Sequence, residues 1–131
     1  MLVTACTSGG AIEETSGVRF LFALRSDTSL EAVFVATTFD PELIQAARGE
    51  LDLPRQERRL HINGVIAGGD GGHNLSWSWH FVPGAWKLTE VSGGLCDGTP
   101  EMVERDLVYW LDRVQRLCPW QSYVLREWRR G

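Results

Sequence analysis

Apolar and polar side chains alternate with a period of two in several segments, which is the pattern of half-buried β-strands. Residues 18–24 place Phe20, Phe22 and Leu24 on one face. Residues 30–37 are rich in β-branched and aromatic side chains, and a polar, turn-forming stretch separates the two segments. The pattern predicts a β-hairpin here. Further strands are predicted at residues 60–67, 75–82, 85–91 and 121–128.

Two other segments show the 3.6-residue period of an amphipathic helix. The first starts after Asp40, an N-cap residue followed by proline, and extends to about Arg48. The second starts after Thr99, again followed by proline, and its apolar positions continue over nearly four turns to Leu117. The element order ββαβββαβ predicts an α+β fold, with an antiparallel sheet of about five or six strands and two helices packed on one face.

Length and composition narrow the class of protein. The chain has 131 residues, of which 44% are hydrophobic and 23% charged, and this composition is typical of one globular domain. The net charge of −4 does not favour nucleic acid as a partner. The sequence has no run of 18 apolar residues that would indicate a membrane-spanning helix. We expect residues 18–131 to form a single domain.

The first residues have a character of their own. The segment Leu2–Cys6 resembles the end of a bacterial lipoprotein signal, in which small residues precede a lipid-modified cysteine. Residues 1–17 are therefore interpreted as a signal remnant or flexible tether, with Cys6 as the lipid attachment site. This predicts an extracytoplasmic protein of the cell envelope or a secreted one, which contacts a membrane only through its lipid. No basic and apolar regions precede Cys6, so a cytoplasmic location is the alternative if Met1 is the true start.

The three cysteines carry the same two alternatives. If Cys6 carries lipid, Cys96 and Cys118 remain, 22 positions apart, and can form a disulfide in an oxidising compartment. Otherwise all three are free thiols of a cytosolic interaction protein.

Candidate catalytic groups are few. Three histidines, His61, His73 and His80, lie on predicted strands or in a loop without the spacing of metal ligands. The loop Gly68–Gly72 lacks the Lys-Ser/Thr ending of a phosphate-binding loop. We therefore predict no metal and no cofactor. A small metal-dependent or His/Asp hydrolase that uses His61, His80 and Asp97 is kept as an alternative function.

Six tryptophans are many for a chain of this length. Periodicity predicts that Trp77, Trp79 and Trp110 belong to the core, whereas it does not decide the positions of Trp86, Trp120 and Trp128. A tryptophan of the second set that is exposed would indicate a binding surface for peptide, sugar or lipid headgroups.

Several short motifs, in this order and spacing, resemble the BP-seventy-four N-terminal domain family, and they are Phe20-x-Phe22, Asp40-Pro41-x-x-Ile44, His61-Ile62-x-Gly64, Asn74-x-x-Trp77-Ser78-Trp79-His80 and Cys118-Pro119-Trp120. The resemblance covers about residues 18–128. It implies a small exported domain with a Cys96–Cys118 disulfide, and it implies no established activity. Some members carry a calmodulin-binding label, which no motif in this sequence supports.

These observations favour a non-catalytic extracytoplasmic binding domain, lipid-anchored or secreted, for an unknown protein, peptide or small-molecule ligand. Polar residues inside the shared motifs without an evident core role are the candidate ligand-binding residues, namely His73, Asn74, His80, Asp97 and Arg126.

Overall fold

The computed structural model of the protein describes residues 17–26 and 32–128. The predicted tether with Cys6, apart from its last residue, and the first part of the predicted strand 30–37 lie outside the described residues. Six strands are present in this part of the chain: β1 (Val18–Leu24), β2 (Phe34–Thr38), β3 (His61–Gly68), β4 (Trp79–Thr89), β5 (Arg116–Leu117) and β6 (Ser122–Trp128).

The strands form two three-stranded antiparallel sheets. The first has the order β2-β1-β6 and the second the order β4-β3-β5. The α+β class and the antiparallel pairing are confirmed, but the expectation of one sheet is wrong. Alternation along a strand predicts which face is buried, whereas it does not specify which strands pair.

The core lies where the two sheets meet. Phe22 and Phe34 of the first sheet stack with ring centroids 5.3 Å apart. Phe34 also contacts Trp79 and Phe81 of the second sheet, and Trp86 meets Phe22 edge-to-face. These aromatic contacts join the two sheets into one hydrophobic cluster.

The predicted strands 75–82 and 85–91 correspond to the single strand β4. Residues 82–85 of β4, which include Pro83 and Gly84, lie opposite only Val65 of β3. Gly84 adopts a left-handed conformation with φ of 83°. The Pro-Gly pair therefore forms a bulge inside the strand and not a turn between two strands, because a proline without an N–H is tolerated where the ladder is interrupted.

The first helix, α1 (Pro41–Leu51), confirms the predicted N-terminus and extends three residues beyond the predicted end. The Asp40 carboxylate accepts a hydrogen bond from the Glu42 N–H at 3.0 Å, as expected of an N-cap. A 3₁₀ turn at Arg55–Glu57 follows.

The second predicted helix is much shorter in the structure. Helix α2 (Pro100–Arg105) is capped by Thr99 and stops at Asp106, whose φ of −139° is not helical. A helical turn at Leu107–Tyr109 and a π-helical turn at Trp110–Val114 follow, and Gln115, with φ of 66°, then leads into β5. The continuous helix to Leu117 is therefore wrong. The predicted apolar face is nevertheless buried, at Val103, Trp110 and Leu117.

Side chains from the second sheet satisfy the outer edge of β2. Three alternating backbone groups in and just before β2 are each hydrogen-bonded by a buried or half-buried side chain, in the pairs Val33–Trp77, Val35–Asn74 and Thr37–Trp86 at 2.7–2.9 Å. An unpaired strand edge can add another chain, so these bonds close this edge.

Candidate functional site

A disulfide joins the 3₁₀ turn Gly94–Cys96 to the segment before β6. Cys96 and Cys118 are bonded, with Cα atoms 5.1 Å apart, and the Cys118 N–H also donates to the Cys96 carbonyl at 2.7 Å. The predicted pairing is confirmed. It fixes the positions of Asp97 and Trp120, each of which is within two residues of a bridged cysteine.

Trp120 is an exposed aromatic side chain that is held in place. Its backbone N–H donates to the Asp97 carboxylate at 3.0 Å, and its indole N–H donates to the Gly93 carbonyl at 3.3 Å. The residue is 50% exposed. The indole therefore presents a large apolar surface to solvent with little conformational freedom left to lose on binding.

A cleft of about 260 Å³ lies beside this tryptophan. Its walls come from the end of β1, the start of α2 and the disulfide-linked segments, and they include Leu24, Ser26, Asp97, Thr99, Met102 and Trp120. We refer to it as the Asp97–Trp120 cleft.

A second, shallower depression continues from the cleft and shares Asp97 and Met102 with it. Its other lining residues include Leu95, Arg105, Asp106 and Tyr109. Leu95 is 90% exposed and Tyr109 is about half exposed. The cleft and this adjoining depression together form an exposed, largely apolar surface next to the disulfide.

The charge on this surface is acidic. Arg105, the cation that lines it, forms an ion pair with Glu101 at 3.1 Å. The Asp106 carboxylate has no ion-pair partner among the described residues, and Asp97 uses only one of its oxygens to accept the Trp120 N–H. A cation would therefore meet two carboxylates here that no basic side chain of the described chain neutralises.

The predicted ligand residues His73 and His80 form a pair at the other end of the β3–β4 ladder. Their rings meet edge-to-face with centroids 5.5 Å apart, and His80 Nδ1 lies 2.8 Å from the Gly69 carbonyl. His73 is 6% exposed, and its Nε2 has no hydrogen-bond partner among the described residues. Burial lowers the pKa of His73, and the nearby charges of His80 and Arg19 lower it further.

The five predicted ligand residues do not lie together. Asn74 is buried and uses its side chain to accept from the Val35 N–H and to donate to the Trp79 carbonyl, so it links the two sheets. Arg126 lies on β6 near the ring of Trp128, opposite Leu21 of β1 in the register. Of the five, only Asp97 lines the cleft beside the disulfide.

The three residues of the hydrolase alternative are not brought together either. His61 and His80 pair with β-ladder positions six residues apart on β3, which is about 20 Å along a strand. His61 is close enough to Asp97 for the carboxylate to raise its pKa, although burial has the larger effect and lowers it. His80 therefore cannot act on the same substrate atom as His61 and Asp97.

His61 instead has a partner that the sequence did not indicate. Its Nε2 lies 2.6 Å from the Ser92 hydroxyl, which also accepts a hydrogen bond from the Asn63 amide at 2.8 Å. Asn63 is two residues after His61 on β3, so a period of two places both side chains on one face. Ser92 lies in a Ser-Gly-Gly linker that is typical of a turn, and no local signal marks it as a partner.

Among residues 17–26 and 32–128, no group of three or more His, Cys, Asp or Glu side chains could hold a metal ion. Within the same ranges, every helix is too short or too polar to cross a membrane.

The fold and the cleft define a small, disulfide-linked α+β domain. A family model described as the BP-seventy-four N-terminal domain matches residues 19–131, so the chain belongs to this family. Comparison with curated proteins and with solved structures gave no match.

Proposed function

We propose that the chain is a non-catalytic extracytoplasmic binding domain, lipid-anchored or secreted, whose ligand docks at the Asp97–Trp120 cleft. One observation carries the proposal: the exposed indole of Trp120 is held by two hydrogen bonds next to a disulfide, at the edge of a cleft. A large aromatic side chain that is already ordered loses little entropy on binding, which is why such residues dominate binding energies at interfaces.

The disulfide also supports the location. Disulfides persist in oxidising compartments and are rare in the cytosol. In this proposal residues 1–17 are the tether, Cys6 is its lipid attachment site and residues 18–131 are the domain that contacts the ligand. Because the domain is acidic overall, nucleic acid is not a candidate ligand.

Two probes test the binding proposal: a phage-displayed random dodecapeptide library and an array of oligosaccharides, each applied to the oxidised protein. The Trp120→Ala variant removes the exposed indole. Trp128→Ala is the matched control, because Trp128 is 39% exposed on β6 and does not line the cleft.

We expect at least one probe to yield binders that the wild type and Trp128→Ala retain and that Trp120→Ala loses by tenfold or more. Circular dichroism and melting temperature check that both variants fold. Binders that both variants hold equally, or the absence of binders from both probes, would contradict the proposal.

Serine hydrolysis is the second candidate function, because a neutral histidine 2.6 Å from a serine hydroxyl is the geometry of an activated nucleophile. Two observations favour a structural role for the pair. Ser92 also accepts the Asn63 amide, and neither Ser92 nor His61 lines the cleft described above.

A fluorophosphonate probe distinguishes these two candidates, because it reacts covalently with activated serines. We expect no labelling of the wild type at pH 7.5. Labelling that disappears in Ser92→Ala and in His61→Gln would show that the domain is catalytic and would refute the first proposal.

A further inference from the structure

We infer that the occupant of the Asp97–Trp120 cleft is an extended peptide segment that carries a lysine or arginine next to an aliphatic or aromatic residue. The inference rests on the proposed function and names the class of ligand for the same site.

The size of the cleft favours a side chain over a whole small molecule. Its volume of about 260 Å³ lies below the range of roughly 300–1,000 Å³ that is typical of small-molecule pockets. Leu24, Met102 and Trp120 provide apolar walls, so the cleft suits one apolar side chain. The neighbouring residues of a peptide would then lie along the adjoining depression, against Leu95 and Tyr109.

The charge of the site favours a cation next to that apolar side chain. Asp97 lines both the cleft and the adjoining depression, and Asp106 lines the depression. Arg105 does not oppose a cation, because Glu101 already pairs with it. A basic side chain between the two depressions would therefore approach the free oxygen of Asp97 and the carboxylate of Asp106.

A carbohydrate ligand fits less well, although an exposed tryptophan is often a platform for a sugar ring. Sugars need several free polar groups at the site. The indole N–H of Trp120 donates to the Gly93 carbonyl, and the hydroxyl of Thr99 accepts from the Met102 N–H. These polar atoms are already used by the protein itself.

The test sequences the peptides that the dodecapeptide library yields on the oxidised protein and discards those that Trp120→Ala also binds. One selected peptide is then synthesised with a fluorophore, and its affinity is measured by fluorescence polarisation for wild type, Asp97→Asn and Asp112→Asn. The asparagine at 97 can still accept the Trp120 N–H, so the variant changes the charge and keeps the local fold. Asp112 is the matched control, because it is an exposed carboxylate that lines neither depression.

We expect the selected peptides to be enriched in lysine or arginine beside an apolar residue. Asp97→Asn should weaken binding about threefold to tenfold, the effect of one partly exposed ion pair, and Asp112→Asn by less than twofold. Raising NaCl from 0.15 M to about 0.5 M should weaken binding to the wild type as well.

Two results would overturn the inference and leave the proposed function intact. The first is a set of cleft-dependent peptides without basic residues, or with equal affinity for wild type and Asp97→Asn. The second is cleft-dependent binding of oligosaccharides alone. If neither probe yields a cleft-dependent binder, the inference and the proposed function fail together.

Discussion

Gly64 occupies the point where β3 comes closest to β4. A methyl group at this position would lie 2.7 Å from the Trp86 Cα and 2.8 Å from the Ala85 carbonyl oxygen. Those are backbone atoms that cannot move aside independently. The glycine inside the predicted strand indicated a bulge or a close contact, and the structure has both, because the register shifts between Gly64 and Ile66.

We predict that Gly64→Ala lowers the free energy of unfolding by about 1–3 kcal/mol, the usual cost of overpacking a tight site. Gly49→Ala is the matched control. Gly49 lies in α1 with open space around it, and alanine there should raise stability by about 0.5–1 kcal/mol through its higher helix propensity. Urea unfolding followed by circular dichroism measures both, and equal effects of the same sign would contradict the account.

His73 predicts a pH dependence of stability. Its pKa in the folded protein is lowered, mainly by burial and then by His80 and Arg19, while the Gly71 backbone and Asp70 oppose the shift. As the pH falls below the ordinary histidine pKa of about 6.5, the unfolded chain binds a proton that the folded chain does not. The stability that depends on neutral His73 is therefore fully present above that pH and is lost as the pH falls towards the lowered pKa.

The measurement is the free energy of unfolding in urea at pH 8, 6.5 and 5, for wild type and His73→Gln. We expect the wild type to lose stability on acidification and the variant to lose less. His61 also has a lowered pKa, so part of the dependence should remain in the variant. An identical pH profile for the two proteins would show that His73 is not a source of the effect.

At the scale of elements, the helix starts were predictable and the ends were not. Asp40 and Thr99 mark the first turns because the capping interaction is local to two or three residues. The break at Asp106 leaves no local signal, because Val103, Trp110 and Leu117 remain buried through a π-helical turn as they would along a straight helix. Periodicity reports which side is buried and does not report the hydrogen-bond pattern of the backbone.

The disulfide is the second feature at this scale. It closes a segment with a sequence separation of 22 that contains all of α2 and the turns after it. We predict that the double variant Cys96→Ser, Cys118→Ser unfolds with a free energy lower by about 3 kcal/mol, the chain-entropy estimate for a loop of this length.

The double substitution avoids leaving a lone reactive thiol. Cys6→Ser is the control, and we expect it to leave the free energy of unfolding unchanged, since Cys6 belongs to the proposed tether. Urea titration under non-reducing conditions compares the three proteins, and a double variant as stable as the wild type would contradict a structural role for the disulfide.

For the whole molecule, the sequence predicted the α+β class, the antiparallel pairing and the family, because alternation, caps and motif order are all local or sequential features. The division into two sheets depends on long-range pairing and on side chains such as Asn74 and Trp86 that reach across to β2. The polarity of Asn74 indicated a ligand contact, but the structure shows hydrogen bonds within the protein.

The candidate site was predicted only in part. Asp97 was singled out beside the disulfide, whereas Trp120 was left open because an isolated tryptophan after a proline has no periodicity to assign it to a face. The cleft forms only when the end of β1, the start of α2 and the disulfide-linked segments meet. That meeting joins positions nearly one hundred residues apart, so no local pattern could predict it.

The account depends most directly on the Cys96–Cys118 disulfide in the protein as its own cells make it. The decisive measurement is the intact mass of protein isolated from those cells without reductant, after thiol alkylation before and after reduction. We predict that Cys96 and Cys118 are alkylated only after reduction. Alkylation of both cysteines before reduction would contradict an oxidised, extracytoplasmic domain with a disulfide-linked binding cleft.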